Sequence, residues 1–380
     1  MHITRREWIQ LVLLFAVTRL LLVAVGVVAM SRVPSTEGEE YTHLLDGGAA
    51  LDMWYRWDAG FYATIATYGY DWQNEQRPTD DMAFFPFYPY AMRGVMALTE
   101  CVFSRYLSTC ATVAGLIVSN VALFAATLLL YDLTRRYADI MTAWRAVALL
   151  LLSPGSIFLS GVYTEALFLC LSLLVFWLLA RDRFPLAVLV AGLACLTRSV
   201  GVALVPVLLL HAWRSSPERR PYRLFLSFLP AALLASYILI AGLTAGDPLA
   251  YFQANNAAWG RMSGSPIDAF AAYFRGEDVS WVGWRLSWLD LAATLGYLAL
   301  AVAALRRRVG WGLFALVALL VPILTGTLIS MPRYGTVIFP FYIVLAVWAH
   351  RIERQALVYG ASVALLLLFA IRFVTWRWIA

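Results

Sequence analysis

The sequence predicts an all-α protein, a polytopic transmembrane bundle of about eleven helices that forms one membrane-embedded domain over residues 1–380. Hydrophobic residues make up 62% of the chain and charged residues only 14%, with a mean hydropathy of +0.73. So few charged side chains cannot cover a water-exposed surface. Apolar runs of about 20 residues, the length that crosses the hydrocarbon core, recur along the chain. Arginine clusters fall in alternate loops between these runs, as the positive-inside rule requires.

The first apolar run extends from Met1 to Met30, after the basic pair Arg5 and Arg6. A signal peptide is the alternative interpretation, with Val27-Val28-Ala29 as a weak cleavage site. The run is long for the apolar part of a signal peptide and contains Arg19, which favours an uncleaved first helix. Arg19 could pair with an acid of the bundle.

Residues 31–111 form the first large outer loop, in which the segments 59–68 and 90–99 are predicted as short interfacial helices. Residues 245–285 form the second outer loop. The remaining apolar segments are 112–131, 143–152, 162–180, 184–197, 200–213, 224–244, 286–305, 311–329, 334–349 and 355–374.

The arginines predict the orientation of the chain in the membrane. The basic clusters lie in loops of one parity, and both large loops lie in the other. We therefore expect a multi-pass protein with a cytoplasmic N-terminus and an extracytoplasmic active site. The membrane is expected to be a bacterial plasma membrane. The clusters are Arg5/Arg6, Arg135/Arg136, Arg181/Arg183, Arg214/Arg219/Arg220/Arg223, Arg306/Arg307/Arg308 and Arg351/Arg354.

The net charge of +6 does not predict nucleic-acid binding, because the arginines form no continuous basic stripe. The four cysteines lack metal-ligand spacing, and only His43 of the four histidines falls outside the cytoplasmic flanks, so no metal site is expected. Cys170 and Cys195 are interpreted as small core residues. Cys101 and Cys110 could form a disulfide on the outer side, but we expect them to be unpaired.

Asp58 is the candidate catalytic residue. It follows Arg56 and Trp57 in an aromatic stretch just beyond the first span, where a carboxylate could accept a proton from an acceptor hydroxyl. The alternative is that Asp58 caps the helix that begins at Ala59. Trp57 and Tyr62 are candidates for stacking on a sugar ring, although Trp and Tyr also anchor membrane interfaces generally.

Further candidates for substrate binding lie at the outer ends of later helices. Glu165 begins an apolar helix, where an acid suits the helix dipole but an ionisable group is also a functional candidate. Arg198 lies between two short apolar segments, and Arg333, beside Tyr334, lies where a helix begins. An arginine at a helix N-terminus favours phosphate binding, with snorkelling as the alternative.

With these residues, the chain resembles the PIG-V family of mannosyltransferases, membrane-embedded glycosyltransferases of the GT-C type. The resemblance rests on RWDAGFY at 56–62, IA at 65–66, GY at 69–70 and AFFPFYP at 83–89. Later blocks are also similar: SPGSIF at 153–158, YTE at 163–165, TR at 197–198 and PRY at 332–334.

The resemblance implies a GT-C-like fold and transfer of mannose, with inversion, from a polyprenyl-phosphate or dolichyl-phosphate carrier on the non-cytoplasmic face. The family's base carries over onto Asp58, and Arg56 lies within the same block. The implied partners are the lipid bilayer, the lipid-linked sugar donor and a glycolipid or glycan acceptor, with no nucleic acid. No cofactor is expected, because the lipid-phosphate-linked sugar is itself the donor substrate.

Two other classes of function remain open at this point. A transporter or flippase of lipid-linked sugars would use similar arginines and rings, but should carry polar groups deep in several helices. A non-catalytic scaffold would tolerate Asp58→Asn. Within the enzyme class, the transferred sugar could differ from mannose.

Overall fold

Helices account for all regular secondary structure in the residues that the computed structural model describes, which are 3–36, 44–45, 47–70, 80–99, 107–261, 264–275 and 287–379. The all-α prediction is therefore confirmed. In chain order the helices are α1 (Arg5–Arg32), α2 (Ala49–Asp52), α3 (Ala59–Tyr68), α4 (Phe87–Leu98), α5 (Leu107–Tyr137), α6 (Ile140–Leu151), α7 (Ser156–Ser160), α8 (Glu165–Leu179), α9 (Phe184–Cys195), α10 (Val205–Trp213), α11 (Arg220–Ser227), α12 (Leu229–Thr244), α13 (Ala250–Trp259), α14 (Pro266–Arg275), α15 (Trp288–Arg307), α16 (Val309–Ile323), α17 (Met331–Thr336), α18 (Pro340–Trp348) and α19 (Ile352–Val374).

Several of these helices are long and apolar enough to cross a membrane: α1, α5, the continuous pair α11 and α12, α15 and α19. Shorter apolar helices occupy most of the other predicted segments. Large apolar side chains on α1 are exposed, among them Leu20 at 68% and Leu21 at 59%. Leucines in water would carry a large free-energy cost, so this face of α1 lies against lipid. The chain is a membrane protein.

The short helices of the first outer loop lie close to their predicted places. The segment 59–68 is α3, and the segment predicted at 90–99 begins three residues earlier, as α4. Pro89 fits there because a proline in the first turn of a helix removes no intrahelical hydrogen bond. The second outer loop contains α13 and α14, which the sequence did not predict; α13 ends at Gly260, a left-handed residue with a φ of +63°.

The chain divides into two compact units, and the first comprises Met1–Tyr68, Tyr88–Leu173 and Phe341–Ile379. Within it α1 packs against α19, and α5 packs against α3 and α6. Phe158, Tyr163 and Phe373 form an aromatic cluster with ring centroids 5.4–5.8 Å apart. This cluster joins the α7–α8 corner to the end of α19.

Arg19 is buried in the first unit and its partners are hydroxyl and carbonyl groups rather than the expected acid. It donates to Ser156 Oγ at 2.9 Å, to Ser160 Oγ at 2.7 Å and to the carbonyl of Leu151. The end of α6 offers unpaired carbonyls, and an arginine from α1 satisfies them. The arginine therefore ties the first span to the corner between α6 and α7.

The second unit comprises Gly69–Phe87 and Leu174–Pro340. In this unit α15 pairs with α16, and α9 packs on α12. A 3₁₀ turn over Ser199–Leu204 follows shortly after α9. Gly201 in this turn approaches the end of α9 so closely that a Cβ there would lie 2.5 Å from the nitrogen of Cys195. That close approach fixes the turn that carries Arg198.

Two of the described cysteines are free thiols and one is in a disulfide bond. Cys170 and Cys195 are free thiols in apolar helices, as predicted. Cys110 is disulfide-bonded, so the expectation that it is unpaired was wrong. Cys101 and His43, which also entered the predictions, lie outside the described residues.

Candidate active site

The turn between α2 and α3 is anchored by a buried ion pair. The Arg56 guanidinium donates to Asp52 Oδ2 at 2.8 Å, and both side chains are at most 1% exposed. Arg56 also donates to the carbonyls of Asp52 at 2.7 Å and of Val374 at 3.3 Å. Substrate binding by Arg56 stays a prediction, but in this structure its guanidinium is engaged by protein acceptors and holds the turn.

Trp57 has a left-handed backbone, with a φ of +54°. A bulky residue rarely adopts this conformation, which persists where the surrounding structure imposes it and is common at functional sites. The ring of Trp57 packs against Trp376 at 5.1 Å and Trp378 at 5.4 Å. The strained residue directly precedes the candidate base.

Asp58 is half-buried at the start of α3, and its carbonyl accepts the N–H of Tyr62 at 3.2 Å. This position is compatible with both predicted roles, the general base and the helix cap. Tyr62 is only 5% exposed and meets Tyr88 edge-on at 5.1 Å. The ring of Tyr62 therefore belongs to an aromatic contact inside the protein, and sugar stacking by Tyr62 stays a prediction.

A chain of hydrogen bonds in the first unit connects the block around Glu165 to the block around Asp58. The Tyr163 hydroxyl donates to the carbonyl of Arg56 at 2.8 Å. Ser119 donates to the carbonyl of Tyr163 at 3.2 Å and shares a hydrogen bond with the Tyr88 hydroxyl at 2.8 Å. Two blocks that are about 100 residues apart in sequence thus meet at the peptide carbonyl of Arg56. Buried polar groups such as this carbonyl need a hydrogen-bond partner, and Tyr163 provides it.

Glu165 is fully buried at the first residue of α8. Burial raises the pKa of the Tyr88 hydroxyl, and electrostatic interactions with Tyr62 and Glu165 raise it further. Tyr88 therefore stays protonated and available as a hydrogen-bond donor. Glu165 thus interacts electrostatically with Tyr88 within the first unit.

In the second unit, two arginines lie against the ring of Tyr334. The guanidinium carbon of Arg198 is 5.2 Å from the ring centroid and that of Arg261 is 5.1 Å from it. Arg261 also donates to Thr325 Oγ1 at 3.1 Å and to the carbonyl of Ile329 at 2.8 Å. Both of these acceptors are neutral, whereas the carboxylate of Asp290 lies close enough to Arg261 for an electrostatic interaction. Two guanidinium groups on one ring make a site that favours an anion.

Arg333 is half-buried and is the third residue of α17. This helix begins directly after Ser330, whose φ is +68°. A helix does begin at Met331, as predicted, but it ends at Thr336. A helix of this length has a weak dipole, so phosphate binding here depends on the arginine more than on the helix. The carboxylate of Asp290 accepts hydrogen bonds from the backbone N–H groups of Ser330 and Met331 and so fixes the start of α17.

Tyr251 completes the surroundings of Tyr334. It is 9% exposed and packs against Phe85 at 5.7 Å. Burial raises the pKa of Tyr251 to about 12, and its hydroxyl has a hydrogen bond to Ser199. The hydroxyl is therefore neutral at physiological pH and does not cancel the charge of the arginines.

Comparison with known proteins decides the family. Residues 9–291 match the family described as mannosyltransferase (PIG-V). The chain belongs to this family. GPI alpha-1,6-mannosyltransferase 2 of Rattus norvegicus is 30% identical over 178 residues, which are 46% of this chain and 34% of the rat protein. GPI mannosyltransferase 2 of Drosophila pseudoobscura pseudoobscura is 29% identical over 114 residues, 30% of this chain and 24% of the fly protein. The matches thus span about a third or less of these relatives.

A solved structure supports the GT-C-like fold. ArnT from Cupriavidus metallidurans, in a crystal structure bound to undecaprenyl phosphate, aligns with a TM-score of 0.51 over 98% of this chain and 76% of ArnT. The sequence identity is 15%, so the likeness concerns the fold alone. Together with the PIG-V family match, it confirms the predicted fold class and the predicted family.

Two residues of this mannosyltransferase-family chain escaped the sequence predictions. Arg261 follows the left-handed Gly260 at the end of α13, and its contact with Tyr334 joins residues that are far apart in the sequence. Asp290 lies in the first turn of a span, a place where ionisable groups are functional candidates, and that signal was available. Among the described residues, no group of three or more His, Cys, Asp and Glu side chains is placed to hold a metal ion.

Proposed function

We propose that this chain is an integral-membrane glycosyltransferase that transfers a mannosyl residue from a polyprenyl-phosphate carrier to an acceptor hydroxyl on the extracytoplasmic face. The observation that carries this proposal is the family match over residues 9–291, a range that contains Asp58, Glu165 and Arg198. The undecaprenyl phosphate named for the ArnT structure supports a lipid-phosphate donor. A bacterial plasma membrane is part of the same proposal, as is the cytoplasmic N-terminus.

In the proposed reaction Asp58 acts as general base. Its carboxylate accepts the proton of the acceptor hydroxyl while the acceptor oxygen forms a bond to the anomeric carbon of the mannosyl group. The bond between this carbon and the phosphate oxygen breaks on the opposite side, and the oxygen leaves with the electron pair. The configuration at the anomeric carbon is therefore inverted, and the sugar passes through a cation-like transition state.

The leaving phosphate needs positive charge as its bond to the sugar breaks. Arg198, Arg261 and Arg333 are the arginines that we assign to this phosphate, because the first two share the ring of Tyr334 and the third is the neighbour of Tyr334 in the chain. No cofactor enters the proposed reaction, since the carrier lipid already activates the sugar.

The direct test is incubation of the purified protein, reconstituted in liposomes, with labelled polyprenyl-phosphate-mannose and a panel of glycolipid and glycan acceptors. Transfer of label into a product that survives mild acid hydrolysis of the donor would support the proposal. Movement of intact donor between leaflets without a new glycosidic bond would instead identify a flippase. A labelled donor that carries another sugar tests whether mannose is the substrate.

Arg333→Ala is expected to raise the KM for the lipid donor about 10- to 100-fold, because a charge-assisted hydrogen bond to a phosphate contributes about 1.5–3 kcal/mol. The KM for the acceptor should change much less. Steady-state kinetics with each substrate varied in turn measure both values.

Arg136→Ala is the matched control, since Arg136 is exposed at the end of α5 and its loss makes the same change in net charge. Equal effects of Arg333→Ala on donor and acceptor would argue against a phosphate contact. Arg261→Ala in the same assay tests the arginine that the sequence did not single out.

A further inference from the structure

Two tryptophans in the first unit share an unusual backbone and touch each other. Trp57 and Trp376 have φ values of +54° and +59°, and their rings lie 5.1 Å apart. Bulky residues avoid this region of φ/ψ space, so each is held there by its surroundings. Trp57 directly precedes the candidate base, whereas Trp376 lies more than 300 residues later, just beyond α19.

The segment 375–379 is fixed to the body of the first unit by hydrogen bonds from Thr36 and Arg372. The Thr36 hydroxyl donates to the carbonyl of Trp376 at 2.7 Å. Arg372 donates to the carbonyl of Trp378, and Arg377 donates to Thr375 Oγ1 at 2.7 Å. These bonds set the path of the segment after the last helix.

The last residue of α19 and this segment both contact the turn before α3. The Arg56 guanidinium donates to the carbonyl of Val374 at 3.3 Å and lies 5.3 Å from the ring centroid of Trp376. Trp57 packs against Trp376 and meets Trp378 edge-on at 5.4 Å. Because Arg56 is also paired with Asp52, the turn is held between α2 and this segment.

We propose that Trp376 and Trp378 are positioning residues for Asp58. They hold Trp57 in its left-handed conformation, and this conformation directs the chain so that Asp58 enters α3 with its carboxylate toward the acceptor. The catalytic part of this inference rests on the proposed function, whereas the positioning of residue 58 does not. Without the two rings, Trp57 would relax to an ordinary backbone conformation and the residue after it would turn with it.

The test replaces Trp376 and Trp378 singly by alanine and compares each variant with Trp348→Ala. Trp348 is 43% exposed in α18, so its loss controls for the removal of a tryptophan from the same unit. We expect kcat to fall about 10- to 100-fold in both test variants, since small misplacements of a catalytic group have costs of this size. The KM for the donor should stay within a factor of about two, because in the proposed mechanism the phosphate contacts lie elsewhere. Trp376→Phe should recover most of the lost rate.

A second measurement reports on position without using activity. In the Asp58→Cys background, we expect the rate at which a charged maleimide labels the introduced thiol to change severalfold on adding Trp376→Ala or Trp378→Ala, and not on adding Trp348→Ala. Labelling that is the same in all four proteins would overturn the inference. The two proposals can also fail separately. If the tryptophan changes alter labelling in the Asp58→Cys background but the unmodified protein transfers no sugar, the positioning is supported and the proposed function is refuted. If Trp376→Ala does not fold, Trp57→Ala carries the same test, because alanine avoids a positive φ and lacks the ring that the two later tryptophans hold.

Discussion

Asp58→Asn is expected to lower kcat for mannosyl transfer by about 10²- to 10⁴-fold, the contribution of a general base to a proton transfer. Asparagine has the shape of aspartate but cannot accept the proton of the acceptor hydroxyl. Asp58 is half-buried and its carbonyl accepts the N–H of Tyr62 in the first turn of α3, a bond that asparagine keeps, so the variant should fold. Initial rates of transfer from labelled polyprenyl-phosphate-mannose measure the effect.

Asp268→Asn is the matched control, because Asp268 is an exposed carboxylate in the first turn of α14 in the second outer loop. Its activity should equal that of the unmodified protein. Size-exclusion profiles and melting temperatures in detergent would verify that both variants are folded. Retention of full activity by Asp58→Asn would remove Asp58 as the base and would leave helix capping as its role.

Asp52→Asn is expected to be the most destabilising of these single changes, by about 3–5 kcal/mol, because it leaves the Arg56 charge buried and uncompensated. Asp52 is fully buried, and its Oδ1 also accepts the N–H groups of Leu44 at 2.7 Å and Leu45 at 2.9 Å. The melting temperature in detergent should fall sharply. Activity should fall with it, because the ion pair holds the turn that carries Asp58.

Asp182→Asn breaks an ion pair of a different kind. The side chain of Asp182 is 56% exposed, and its pairs with Arg219 and Arg223 lie at 3.4 Å and 2.8 Å. We expect it to cost at most about 1 kcal/mol. The double variant Asp52→Leu with Arg56→Met removes both buried charges, so it should recover much of the stability that Asp52→Asn loses. A small effect of Asp52→Asn, or no recovery in the double variant, would contradict the assignment of this pair as the anchor of the turn.

The sequence predicted the spans well because the signal that defines them is local. A run of apolar residues must become helical in lipid, since no water is present to satisfy the backbone. The same reasoning placed α3 at its observed bounds and α4 within three residues of them. This reasoning missed α13 and α14, whose composition is mixed. It also predicted one helix over 334–349, where the chain forms α17 and α18, because the residue before Pro340 is disfavoured in a helix.

The candidate site was predicted in part for a related reason. Asp58 stood out because it lies in an aromatic stretch just beyond the first span, and Arg198 and Arg333 because an arginine at a helix N-terminus favours phosphate binding. Arg56 was named as part of the same block as Asp58, yet its spacing of four residues from Asp52 already allowed an ion pair on one face of a turn. Arg261 had no local signal, because its contact with Tyr334 joins residues more than 70 positions apart.

By itself, the sequence determined that this chain is a helical membrane protein and gave its family, because hydropathy and short motifs are properties of neighbouring residues. Only the tertiary structure decided which arginine is engaged in a buried ion pair, which arginines share the ring of Tyr334, and which residues hold the turn before Asp58. Those outcomes depend on contacts such as that between Trp57 and Trp376. Long-range packing fixes such contacts, and no window of the sequence contains them.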